Sequence, residues 1–429
     1  MITLIGSPDE TVLSRNQIIF ALKSTDDNGD VYDTLPDNYR VELEVYLRGE
    51  AIIIQQDIPA PDGISSIDIS STLHAAFFDT RENKLPNFSS PIPYDPDIIR
   101  PFYVRYREVY TGNTPSWTNS DTHLVLIGGV SKFYDATTNV FSNFDADNSL
   151  LSWYPATKFV SKDQREYITW YNYTGSDKTD IALEVTVTYD DGTTTNYLHL
   201  ATDPLVVLAG RVITIPVGYQ DVGVDAIMAS LGITQEVLRY AVRVRSGNDP
   251  VSQWRYYDID CAMYPESRQI LYFNGYGVPE VTRFVGELSE DLDVDRKEAV
   301  ATLTPAYTST DHGTYQYDQN FKIPLTFRSG YNFSKAEVKA LQELLIYNDA
   351  YDIRSYGYMP IRITSNKFKT TQTLRFLHTL EFKAESRMAM HAYDNLDTDD
   401  DAVEISPLYW QEEDGSFWLQ EDGQPWEHE

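Results

Sequence analysis

Apolar side chains recur at every second position in segment after segment of this chain, and a two-residue period commits a segment to a strand with one buried face. Ile18, Phe20 and Leu22 follow it, then Val41, Leu43, Val45 and Leu47. Leu183, Val185 and Val187 follow it again, as do Tyr240, Val242 and Val244. The 31 tyrosines, with Val, Ile and Thr, favour strands as well.

One stretch breaks the period with a helix. Phe321, Ile323, Leu325 and Phe327 read as one strand; Ser334 then reads as an N-cap with Glu337 closing a capping box, and Phe333 and Val338 as a hydrophobic staple. Val338, Leu341, Leu344 and Leu345 share a face of roughly three turns, so this helix must lie on a sheet. Met359, Ile361 and Ile363 give a further strand, and Leu374, Phe376, Leu380 and Phe382 another. The spacing predicts a β-α-β-β unit over 321–385.

At 429 residues the chain exceeds one core, and about 100–200 residues per domain suggests two to four. We expect a mainly β protein: tandem β-sandwich-like domains at 1–150 and 151–268, an α+β domain at 269–390 with its helix near 334–346, and an acidic tail at 391–429. In the first domain a helix is expected over Leu73 to Phe78, with Phe102, Val104 and Tyr106 as the return strand. Five prolines between Leu85 and Pro101 mark a connection outside any sheet interior. The second domain repeats this order, with a hairpin at Asp191-Gly192, a short helix around Asp225 to Leu231 and the return strand at Tyr240, Val242 and Val244. Two such units in tandem suggest a duplicated sandwich.

Acidic residues number 65 against 34 basic ones, a formal charge of -31. Binding to a phosphate backbone or to an anionic membrane surface needs Lys and Arg, so both are disfavoured; a highly soluble surface is the plainer meaning of the charge. No run approaches the ~20 apolar residues of a spanning helix, and Met1 to Pro8 lacks the basic and apolar regions of a signal peptide. Synthesis and retention inside a cell are expected. Cys261, the single cysteine, reads as a small core hydrophobe.

Chemistry-bearing motifs are sparse. The seven histidines form no zinc pattern, no Gly-x-Ser-x-Gly elbow occurs, and His378 reads as a core or interface residue. Gly275 and Gly277 lack the following helix of a phosphate loop. Asp26, Asn28 and Asp30 resemble the opening of a calcium loop, but Gly29 comes too early, so a turn is expected there. No cofactor, metal or catalytic residue is assigned. Carboxylate pairs for glycoside hydrolysis stay open, because their separation is spatial.

The tail carries thirteen acidic residues and no Lys or Arg after position 390. Trp410, Trp418 and Trp426 are eight residues apart, and Trp-x-x-Glu-Asp-Gly occurs twice in register. Exposed indoles imply a covering surface, so Tyr409, Trp410, Trp418 and Trp426 are the candidate partner-binding residues; packing on the protein's own body is the alternative.

The runs Leu341 to Tyr351, Met359 to Phe368 and Leu380 to Ala384, with Leu271 to Glu280 and Ser14 to Phe20, resemble tail-region proteins of phages and prophages of Bacteroides-type bacteria. That resemblance implies a non-enzymatic structural component of a tail tip or baseplate, made in the host cytoplasm and carried in the virion tail. It also implies a homo-oligomeric ring contacting other virion tail proteins, without nucleic acid or membrane insertion. Two other classes remain: a carbohydrate-binding or adhesin module that stacks Tyr and Trp on a host surface glycan, and a polysaccharide-degrading virion enzyme.

Overall fold

The computed structural model describes residues 2–26, 36–57, 63–76, 85–89, 92–112, 114–130, 141, 144–145, 149–200, 205–262, 264, 267–286, 288–290, 293–300, 308, 314–322, 324–330, 335–344, 350–365, 369–372 and 378–386. The protein is mainly β, with the strands in several sheets. The expected turn at 26–30 and the tail at 391–429, with Tyr409, Trp410, Trp418 and Trp426, lie outside the described residues, Asp26 excepted.

The first part of the chain runs β1 (Ile2–Gly6), β2 (Thr11–Leu13), β3 (Ile19–Ser24), β4 (Arg40–Leu47), β5 (Glu50–Asp57), β6 (Ile64–Asp68), α1 (Ser70–Ala76), β7 (Ile99–Val109), β8 (Thr118–Asn119) and β9 (His123–Leu126). One sheet has the order β1-β3-β6 and the other β2-β9-β7-β4-β5, with β8 beside β7. Phe20 and Leu22 of the first sheet meet Val41, Leu43, Val45, Phe102 and Val104 of the second in one buried cluster. The two sheets are thus packed face to face, as the alternation requires.

The second part repeats most of that plan, with β14 added and no counterpart of β1: β10 (Thr157–Val160), β11 (Tyr167–Tyr171), β12 (Lys178–Tyr189), β13 (Thr194–His199), β14 (Leu205–Val207), β15 (Val212–Pro216), α2 (Val224–Leu231), β16 (Val237–Ser246), β17 (Asp249–Pro250) and β18 (Arg255–Ile259). Its large sheet is β10-β18-β16-β12-β13 and its small one β11-β15. The edge strand β10 lies parallel to β18 just as β2 lies parallel to β9, and β11 pairs β15 as β3 pairs β6. The hairpins β4–β5 and β12–β13 are counterparts too. The β12–β13 loop is Asp190 to Gly192, one residue longer than a two-residue hairpin, with Tyr189 N–H donating to Thr193 C=O and Gly192 at φ +81°. A three-residue hairpin needs that left-handed last position.

The third part holds β19 (Arg268–Phe273), β20 (Pro279–Phe284), β21 (Ser289–Glu290), β22 (Asp293–Val300), β23 (Thr314–Lys322), β24 (Pro324–Arg328), α3 (Lys335–Leu341), β25 (Ala350–Arg354), β26 (Gly357–Ile363), β27 (Lys369–Gln372) and β28 (His378–Ser386). Its main sheet is β20-β19-β25-β26-β28-β24-β21, with β27 beside β28. Val338, Leu341 and Leu344 pack with Ile361, Leu380 and Phe382, so the helix does lie on the sheet. Ser334 and Phe333 lie outside the described residues, and α3 starts one residue after Ser334.

Phe321 lies in β23 and Leu325 in β24; Ile323 between them is outside the described residues, and the pairings of Lys322 with Asp293 and of Leu325 with Glu290 keep one register across it. Three expectations change. Leu380 and Phe382 lie in β28, which starts at His378, and its partner β27 comes from residues 369–372, so a hairpin replaces the long strand expected from Leu374. Leu374 and Phe376 themselves lie outside the described residues. Pro101 lies inside β7, an interior strand, opposite Leu124. It is tolerated because pairing with β4 ends at Phe102, and the Pro101 carbonyl accepts from Arg48 N–H. Finally, Cys261 is exposed just past the end of β18, where it donates to Glu236 at 3.4 Å.

Candidate functional site

The hairpin β19–β20 is where the three parts of the chain meet. Its strands belong to the main sheet of the third part, Leu271 and Val281 pack with Tyr167 of the second, and its loop enters the core of the first. Tyr276 and Val278 are buried there with Ile127 and Phe144, and the Tyr276 ring stacks on Trp153 at 5.0 Å. Gly129 N–H donates to Gly275 C=O at 2.8 Å.

Local chemistry explains why this loop holds its shape. Asn274, fully buried, accepts from Tyr276 N–H at 2.9 Å and donates through Nδ2 to Leu151 C=O at 2.9 Å. Gly277 sits at φ +73°, and a Cβ there would lie 2.4 Å from Ile127 Cγ2 and 2.6 Å from its carbonyl oxygen. Glycine is required on both counts. Gly275 and Gly277 therefore serve close packing between parts of the chain, in keeping with the missing phosphate-loop helix.

Around the hairpin runs a buried charged network. Lys158 Nζ lies 2.7 Å from Glu166 Oε1 and donates to Val281 C=O, while Gln164 donates to Glu166 Oε1 at 2.6 Å. Glu280 accepts from Ser152 and from Asn274 at 3.2 Å on one oxygen, and from Tyr272 at 3.1 Å on the other. Arg255 donates to the carbonyls of Tyr154 and Pro155, both at 2.7 Å. Lys158, Glu166, Glu280 and Arg255 are all buried. Burial pushes the Glu166 carboxyl up, and Lys158 opposes it. Each carboxylate oxygen in this network is taken by a donor of the chain itself, so the arrangement fixes the relative placement of strands. Sequence reasoning missed it, because Lys158, Glu166, Arg255 and Glu280 are far apart in the chain and ordinary in their local contexts.

A second arrangement lies on the outer faces of the two large sheets. Glu42, Arg107 and Trp117 sit side by side on β4, β7 and the residue before β8: Arg107 bonds Glu42 at 2.7 Å and lies 4.2 Å from the centre of the Trp117 ring. Glu184, Arg243 and Trp254 repeat the row on β12, β16 and the approach to β18, at 2.7 Å and 4.4 Å. Arg105 adds a neighbouring contact, bonding Glu44 and lying 4.5 Å from the Tyr46 ring centre.

The histidines are dispersed. His74 is bonded to Ser14 at 2.9 Å, His123 is buried against Phe20 and Phe102, and His378 is in β28 opposite Gln372. His312, His391 and His428 lie outside the described residues. Among the described residues no group of three or more His, Cys, Asp or Glu side chains could hold a metal ion, and no helix is long and apolar enough to cross a membrane, which says nothing of membrane β-barrels.

No protein family and no curated protein matches the sequence. Among solved structures, E. coli alpha-2-macroglobulin in its native conformation is similar at 9% identity with a TM-score of 0.21, over 77% of this chain and 18% of that one.

Proposed function

We propose that this chain is a non-enzymatic structural subunit of a phage tail tip or baseplate, working as one of several copies in a symmetric ring with neighbouring virion proteins. The sequence resemblance supplies the setting. The observation that carries the structural role is the β19–β20 hairpin, whose strands and loop tie three β-rich parts together. A buried network with its carboxylates already bonded suits a part that must hold a fixed shape under load. The division at about 150, 268 and 390 belongs to this reading, as does docking of Trp410, Trp418 and Trp426 on another subunit. Quantitative mass spectrometry of purified virions tests it. Presence at a fixed multiple of a known tail protein supports the role, and absence from particles removes it.

The half-buried Trp117 and Trp254 keep a sugar-binding alternative in view, since indoles on an outer sheet face can stack on pyranose rings. Binding on a glycan array that is lost in Trp117→Ala would favour that module.

A further inference from the structure

Lys158, Gln164 and Glu166 set an amine, a carboxamide and a carboxyl group against one another away from water. They are 3%, 2% and 3% exposed. Alternation along β10 turns Lys158 inward with Val160, while Thr157 and Phe159 face out. A turn at 161–164, closed by Gln164 N–H donating to Ser161 C=O at 3.1 Å, brings Gln164 back toward the same place. Lys158 Nζ lies 2.7 Å from Oε1 of Glu166 and 2.9 Å from its Oε2, and Gln164 Nε2 lies 2.6 Å from that same Oε1. Amine and carboxamide thus meet at one carboxyl oxygen. The Tyr154 ring, 4.9 Å away, and the Val281 carbonyl, which accepts from Lys158, also border Nζ.

Such a set is reactive in a dry interior. Ammonium and carboxylate lose their hydration there, so the neutral pair of amine and acid competes with the ionic one. Burial drives Glu166 the same way by pushing its carboxyl up, with Lys158 opposing. A neutral amine is a nucleophile, and a carboxamide whose oxygen accepts from a carboxylic acid is an acyl donor. The Gln164 amide presents its oxygen to Glu166 after a half-turn about its last side-chain bond, which exchanges O and N at almost unchanged shape. The bond given up by that turn, from Ser161 N–H to Gln164 Oε1, is a long one at 3.4 Å.

We propose that Lys158 and Gln164 are joined by a side-chain amide bond that the folded chain makes by itself, with Glu166 as the acid–base group. Lys158 Nζ adds to Cδ of Gln164 while the Glu166 acid lends its proton to the carbonyl oxygen. Glu166 then carries one proton from Nζ to Nε2. On collapse of the tetrahedral centre the Cδ–Nε2 bond breaks, ammonia leaves, and Glu166 recovers the proton it lent. One Nζ–Cδ bond replaces one Cδ–Nε2 bond, nothing is oxidised or reduced, and no co-reactant is consumed. Nζ keeps one hydrogen, so a donor remains for the Val281 carbonyl. The link fastens the edge strand β10 to the entry of β11, and with it the large sheet of the second part to the small one. None of this depends on where the chain works, so this chemistry and the tail reading fail separately.

The intact mass of the purified full chain tests it. The expected mass is below that of the sequence by one ammonia, with no tryptic cut after Lys158 and a fragment spectrum that places the loss between Lys158 and Gln164. Lys158→Arg, Gln164→Leu and Glu166→Gln should each restore the sequence mass. Glu166→Gln keeps both joined groups and nearly the same volume, so it removes the proton carrier alone. The parent chain decides even where a variant fails to fold. Replacing Lys158 by Met removes amide and ion pair together, whether or not Glu166 is changed too, so mass and not stability is the readout. Sequence mass in the folded parent, or ammonia lost at another site with Lys158 open to trypsin, would overturn the inference. A Glu166→Gln chain linked as fully as the parent would overturn the role of Glu166.

Discussion

The guanidinium of Arg243 lies 4.4 Å from the centre of the Trp254 ring and 2.7 Å from Glu184, held in place by its position on the middle one of three adjacent strands. Arg107 holds the same place between Trp117 and Glu42. Together with the matched strand pairings, the two rows make the first and second parts of the chain repeats in side-chain chemistry as well as in topology. The outer face of each large sheet needs such a row, because the central strands carry charged residues that the core cannot take.

The contribution of a row can be measured by a double-mutant cycle. Guanidinium–aromatic contacts at exposed sites are worth about 0.5–1 kcal/mol. Trp254→Ala and Arg243→Met should therefore show a coupling of roughly that size in chemical denaturation. Zero coupling would mean that ring and guanidinium are merely adjacent.

The buried pair at the joint should behave asymmetrically. Removing one partner leaves a buried uncompensated charge, which costs about 3–5 kcal/mol, whereas replacing both with apolar groups can be nearly neutral. Lys158→Met alone should destabilise strongly, and Lys158→Met with Glu166→Leu should recover most of the loss. Equal stability of the single and double variants would show that the pair does not act as a unit.

The loop of the β19–β20 hairpin gives a sharper test. Gly277→Ala places a Cβ against Ile127 backbone and side chain in a left-handed conformation, so both clash and strain apply. Tyr276→Ala removes a ring buried in the core of the first part and should cost about 3–5 kcal/mol by analogy with other large aromatic truncations. Limited proteolysis should then cut between the parts of the chain before it cuts within them. Cleavage spread evenly along the chain would contradict a joint role for the hairpin.

Much of this architecture is legible in the residues, and the exceptions have physical reasons. Val41, Leu43, Val45, Leu183, Val185 and Val187 are buried as their period demands, because a strand with one core face leaves no other choice. Periodicity cannot, however, say where a strand gains a second neighbour. β24 pairs both β21 and β28, whereas among the described strands β23 pairs β22 alone, and the alternation is the same in both. β25 was missed because Ala350, Asp352 and Arg354 are its buried residues, and only Ala350 among them is apolar. Their burial is possible through the pair of Arg354 with Asp352 at 2.7 Å, a tertiary fact with no local signature. The joint is invisible for the same reason: its residues are drawn from four separate stretches.

Acid should weaken the first sandwich through Glu42. Burial alone would raise its pKa, but the hydrogen bonds and charges of Arg107 and Arg40 outweigh that and hold the carboxyl below its ordinary value of 4.5. The folded state thus binds this proton less tightly than the unfolded chain. Its stabilisation is fully present above about pH 4.5 and is lost as pH falls through the depressed folded value. Arg107→Met should lower the melting temperature most at pH 6–7, and the gap from the parent protein should narrow below pH 4.5. A gap independent of pH would assign the loss to packing against Trp117 instead.

Truncation after Tyr393 separates the tail from the rest of the protein's work. Among the described residues, the cores of all three parts and the joint network are built from residues up to Ser386, so the truncated chain is expected to melt as the full chain does. Trp410, Trp418 and Trp426 each bring an aromatic area whose burial is worth up to a few kcal/mol, enough for three of them to anchor a segment on a neighbouring subunit. The acidic residues between them must then stay at the rim or meet Lys and Arg of the partner. The truncated protein is expected to fold yet enter particles poorly, and tryptophan fluorescence of the full chain should shift to the blue on assembly. Incorporation equal to that of the full chain, with no spectral shift, would leave the indoles without a role in assembly.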